Sequence, residues 1–119
     1  MGMAILQAAI GGALGASLRF VLSGVVMFPL GTLLVNVVGS FLMGVAFVML
    51  AEKGIDRWIP FVMAGLLGGF TTFSAFSLDT LKLFEAGRYG AAGGYVIASV
   101  VLSVAALVLA INLTRGWTG

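Results

Sequence analysis

Asn36 is an amide set in an otherwise apolar stretch, Gly31-Thr-Leu-Leu-Val-Asn36. Its side chain offers two N–H donors and one carbonyl acceptor. At membrane depth such a group is costly, so it either glues helices together or faces a water path. Thr32, four residues earlier, shares both possibilities. Further along, Tyr95, Ser99 and Ser103 recur in steps of four, which keeps them on one helix face. Three hydroxyls in a row make a ladder of donors that a small anion could climb. The plainer alternative is that the Ser hydroxyls bond back to carbonyls of their own helix.

The stretch Gly68-Gly-Phe-Thr-Thr-Phe-Ser-Ala-Phe-Ser77 is of another kind. Paired Gly followed by paired Thr are poor helix formers. A break there frees carbonyl oxygens, which in hydrocarbon must find another partner. A buried cation is one such partner. Phe73 and Phe76 stand three apart, on roughly one face of a helix that resumes after the break. Their ring edges carry partial positive charge and can meet an anion that a ring face would repel. Two Phe in a core or lipid-facing position are the ordinary alternative. Arg19 is the first charged residue and is always ionised. It could concentrate anions at a pore mouth or snorkel to headgroups. No catalytic set is available: the chain contains no His and no Cys, and no acid–base pair falls at membrane depth. An anion would therefore be held by neutral donors, which suits selective capture with fast release.

The elements that must position these groups are membrane helices. Of the 119 residues, 61% are hydrophobic and 8% charged, against about 25% charged in soluble domains. A net charge of +2, scattered along the chain, leaves no nucleic-acid footprint. The N-terminus lacks a basic region ahead of its apolar run, so it is expected to stay as a first helix. Charges cluster at Glu52, Lys53, Asp56 and Arg57, then at Asp79, Lys82, Glu85 and Arg88. Between these clusters lie runs long enough to span a bilayer, about 20 residues each. The first run is divided at Phe28-Pro29-Leu30-Gly31. Spans are expected at about 4–27, 31–52, 58–83 and 89–114, joined by short turns in an up-down bundle, with Trp58 and Trp117 at the interfaces. Gly11, Gly12, Gly15 and Ala16 place small residues on one face for close helix packing.

Basic residues do not favour either side. Lys53, Arg57 and Arg115 fall on one face, Arg19, Lys82 and Arg88 on the other. Either the chain inserts both ways, and is then able to pair as an antiparallel twofold dimer, or a factor outside the charge pattern orients it.

On these residues the chain resembles the Fluc (CrcB) fluoride channel family. The matching pieces are Gly15-xxx-Arg19-Phe20, Gly31-Thr32-Leu-Leu-Val-Asn36, the Gly68–Ser77 stretch, Gly87-Arg88-Tyr89 and the Tyr95/Ser99/Ser103 ladder. They cover nearly the whole chain in order. Phe70 and Ala75 depart from the Leu and Thr frequent in the family. The resemblance implies an all-α membrane protein, a single domain over residues 1–119 with four transmembrane helices and a break in the third. It implies a dual-topology antiparallel homodimer in the inner membrane with two pores that let fluoride leave the cytoplasm passively. Asn36, Phe73 and Phe76 would line each pore, Tyr95, Ser99 and Ser103 would form its polar track, and Arg19 would sit in the vestibule. Backbone carbonyls of Gly68 and Thr71 from both subunits would hold a structural sodium ion (Na+). The implied partners are fluoride, membrane lipid and a second copy of the chain; no enzyme activity and no nucleic acid are implied.

Two other readings compete. A small multidrug-type proton-coupled exporter shares the size and span count but needs a carboxylate in its first span, which has neither Asp nor Glu. A purely structural bundle would need no polar track.

Overall fold

The computed structural model describes residues 1–118. Four helices are long and apolar enough to cross a membrane: α1 (Gly2–Val25), α2 (Leu30–Glu52), α3 (Asp56–Glu85) and α4 (Tyr89–Thr118). The expected spans are recovered within a few residues, except that α4 runs on past Arg115 to Thr118. The chain is a multi-pass membrane protein. Its outer faces carry Ile5, Leu14, Phe20, Val101 and Val108, all at least half exposed. In water those faces would be a large apolar liability; in a bilayer they face acyl chains or another protein.

The helices pair as two parallel couples. Along α1 and α3, Gly11 lies against Phe61 and Gly65, and Gly15 against Leu66 and Phe70. A Cβ on Gly15 would stand 2.0 Å from the Leu66 carbonyl oxygen, so only glycine permits this approach. Along α2 and α4, Gly44 lies against Leu107 and Ala110, and Arg115 donates from Nε to Glu52 Oε1 at 3.0 Å, with a second contact from Nη2 to Oε2. Short turns join the helices, so neighbours in sequence run antiparallel. The turn after α3 is closed by Gly87 at φ +78°, with the Arg88 amide donating to the Leu83 carbonyl. Only glycine adopts that left-handed backbone without strain.

Two stretches wind more widely than an α-helix, Phe47–Glu52 at the end of α2 and Pro60–Leu67 in the first half of α3. The second leads directly into the break. Gly68–Phe70 makes one last α turn, Thr71 and Thr72 are extended (ψ 153° and 121°), and the helix restarts over Phe73–Glu85. The sequence predicts the break, since Gly68 and Gly69 weaken the incoming helix; the structure adds that Thr72 caps the outgoing one by accepting the Ala75 amide on its hydroxyl at 3.1 Å.

Candidate functional site

Asn36 reaches across from α2 and completes the break. Its Nδ2 donates to the Thr72 carbonyl at 3.0 Å, and its Oδ1 accepts the Thr72 amide at 2.8 Å. The side chain thus stands in for a strand partner: it gives the Thr72 amide the acceptor that the interrupted helix cannot, and adds a donor to the carbonyl of the helix-capping Thr72. α2 comes close enough because residue 39 is glycine: a Cβ there would stand 2.2 Å from Thr71 Cγ2. Gluing and facing a path are therefore not exclusive for Asn36. One of its two N–H donors is committed to Thr72, and the residue also lines a groove.

The break redistributes carbonyls in a specific way. In a continuous helix the Thr72 amide would close on the Gly68 carbonyl and the Ala75 amide on the Thr71 carbonyl. Here those amides go to Asn36 Oδ1 and Thr72 Oγ1. The Gly68 and Thr71 carbonyls are thereby released from the helical ladder. The Gly69 carbonyl is met instead by Arg19 Nε at 3.1 Å, and the Thr72 carbonyl by Asn36. Arg19 is thereby held, half-buried, against the break. Among the described residues no cluster of His, Cys, Asp or Glu offers side-chain metal ligands, so a cation here would be met by backbone oxygens.

The groove, about 390 Å³, runs between α2, the break and α4. Asn36, Phe73, Phe76, Ser99 and Ser103 all line it, together with Ser40, Met43, Thr71 and Thr72. The Ser99 and Ser103 hydroxyl oxygens are buried with no hydrogen-bond partner. Other helical hydroxyls bond back four residues, among them Ser17 to Ala13, Ser23 to Arg19, Ser77 to Phe73 and Thr80 to Phe76. The two α4 serines do not take that ordinary option. The Phe73 and Phe76 ring centroids are 5.4 Å apart at 53°. Phe73 is 78% exposed and projects beyond the protomer.

A family model described as CrcB-like protein, Camphor Resistance (CrcB), matches residues 6–111. The chain belongs to the CrcB family. It is 56% identical over 119 residues to the "Fluoride-specific ion channel FluC" of Cereibacter sphaeroides (strain ATCC 17029 / ATH 2.4.9), covering 95% of each chain. It is 49% identical to proteins of the same name from Ruegeria sp. (strain TM1040), over 98% of each chain, and Paracoccus denitrificans (strain Pd 1222), over 93% of this chain and 94% of that one.

Two features of this CrcB chain escape its sequence. Tyr95 does not line the groove; it lies in the core beside Leu83, Ala92 and Phe76, and its hydroxyl donates to Asp79 Oδ2 at 3.3 Å. The top of the expected hydroxyl ladder has its proton turned away from the groove. Asp79 itself, near the end of α3, is 8% exposed and lines a small polar cavity with Ser23, Gly31 and Thr32. The sixteen-residue separation from Tyr95 spans a turn between helices, and no periodicity within one helix could have joined the two.

Proposed function

We propose that two copies of this CrcB chain, inserted in opposite orientations, form a fluoride-selective channel with one anion path per groove and a structural sodium ion between the subunits. The observation that carries this is the pair of buried, unpartnered hydroxyls of Ser99 and Ser103 in a groove shared with Asn36, Phe73 and Phe76. Unsatisfied donors in an apolar wall are expensive unless something visits them. Fluoride holds its water tightly, so a dry hole would exclude it. Hydroxyl and amide donors replace that hydration, and Phe ring edges add weak positive potential without a full opposing charge. The relatives' shared name supplies the ion.

Three further features support the assembly. The exposed Phe73 ring extends where a second protomer could complete the groove. The basic residues set no orientation, as a dual-topology chain requires. The Gly68 and Thr71 carbonyls are hard oxygen donors without their helical amides, and two copies would offer four of them to one cation. Sodium bound there would neutralise those dipoles at the subunit interface, while the anion path remains the work of side chains in the groove.

Efflux from liposomes holding purified protein tests the proposal: rapid fluoride loss with chloride retained is expected, and equal retention of both would overturn it. Replacing Phe73 or Phe76 by Ile, or Asn36 by Asp, should abolish flux with the dimer intact; normal flux in all three would remove the pore assignment. Asp79 is the buried carboxylate that an exporter could use, so efflux is measured with and without a pH gradient. A strict requirement for the gradient would favour the proton-coupled exporter.

A further inference from the structure

α2 and α4 lie parallel, and two of their contacts, well separated along the helices, share one offset. Glu52 pairs with Arg115, sixty-three positions apart. Gly44 meets Leu107 at the same offset. Carried back along the two helices from these points, the register sets Asn36 level with Ser99 and Ser40 level with Ser103, and Asn36, Ser40, Ser99 and Ser103 all line the one groove. Polar residues on α2 at positions 32, 36 and 40 therefore face polar residues on α4 at 95, 99 and 103. Four-residue spacing on parallel helices keeps both rows on the facing sides.

Ser40 is half-buried, one turn beyond Asn36, and it lines the same groove as Ser99 and Ser103. Its hydroxyl makes no hydrogen bond among the described residues, whereas those of Ser17, Ser23, Ser77 and Thr80 are tied to their own helices. One turn later the rows end: at Gly44 the α2 backbone closes onto α4, where a Cβ would stand 2.6 Å from the Leu107 carbonyl oxygen.

We infer that Ser40 is a further ion-contacting residue, the α2 half of a polar rung whose other half is Ser103. The anion path has donors along both walls, and an ion beyond Asn36 is held between the Ser40 and Ser103 hydroxyls. A partly dehydrated anion bound by Ser103 alone would keep one side against apolar surface. A second hydroxyl across the groove supplies the missing donor, and a hydrogen bond to a charged group is among the stronger neutral-donor contacts. The role of Ser40 rests on the channel reading proposed for the groove.

The test compares wild type with Ser40→Ala, Ser40→Cys and Ser40→Thr in liposome fluoride efflux, each purified as the full chain and checked for dimer size and melting temperature. Ala and Cys remove the strong donor; Cys keeps the shape and serves if Ala misfolds. At low fluoride both should slow efflux about tenfold or more and raise the half-saturating concentration, and Thr should restore most of the rate. Efflux at the wild-type rate in Ala and Cys overturns the inference. So does equal slowing in all three variants, which would mark a packing position. A wild-type protein that passes no fluoride fails earlier and overturns the channel reading itself.

Discussion

The Asn36 amide and the Thr72 backbone form a pair whose geometry predicts its own cost of removal. Asn36→Leu keeps the volume but strands the Thr72 amide in an apolar setting, while the Thr72 carbonyl keeps the first bond of the restarting helix. The orphaned donor costs about 1–3 kcal/mol, so the variant should unfold at clearly lower temperature or denaturant than wild type. Unchanged stability in a detergent melt would mean that water replaces the side chain at the break. Ser103→Ala removes a hydroxyl that bonds to nothing in the protein. It should leave the melt unchanged or improved while slowing fluoride efflux. These opposite signatures separate a residue that holds the fold from one kept for an ion.

At the scale of elements, the close approach of α1 and α3 depends on positions where a side chain has nowhere to go. A Cβ at Gly11 would stand 2.4 Å from the Phe61 carbonyl oxygen, and one at Gly15 2.0 Å from that of Leu66. The neighbours are backbone, which cannot rotate aside. Gly15→Val should therefore push the helices apart and destabilise the protein by about 1–3 kcal/mol or more. At Gly24, on the same helix, an added Cβ would meet nothing within 4 Å. Gly24→Ala should be neutral or slightly stabilising within the protomer, since Ala is the better helix former, and a loss as large as at Gly15 would overturn the contact explanation. The same close packing sets Arg19 beside the Gly69 carbonyl, so a lesion at Gly15 should also disturb the break.

The whole molecule spans 48 × 33 × 22 Å, ample for a hydrocarbon layer of about 30 Å. One protomer leaves its groove flanked by an exposed Phe73 and leaves its Gly68 and Thr71 carbonyls without helical donors. Two predictions belong at this scale. If the dimer is antiparallel, termini tagged with an impermeant label should be found on both sides of the membrane; tags on one side alone would exclude opposite insertion. If sodium joins the subunits through those carbonyls, replacing it with a large organic cation should lower the melting temperature of the dimer. Equal melting in both would count against a sodium site at the break.

Composition, charge placement and periodicity were sufficient for four spans, their ends to within a few residues, the interruption at Gly68–Thr72 and the hydroxyl row on α4. These follow from forces acting along one stretch of chain: transfer of apolar runs into lipid, the weakness of Gly and Thr as helix formers, and the four-residue repeat of a helix face. What only the tertiary structure decided lies between stretches. α1 pairs with α3 and α2 with α4; Asn36 spends its amide on Thr72; Arg19 caps the Gly69 carbonyl; Tyr95 turns its proton to Asp79; and Ser40 comes level with Ser103. Each depends on how near two helices approach and in what register. That is set by the glycines that let backbones touch, and a pattern confined to one helix carries no measure of the distance to another.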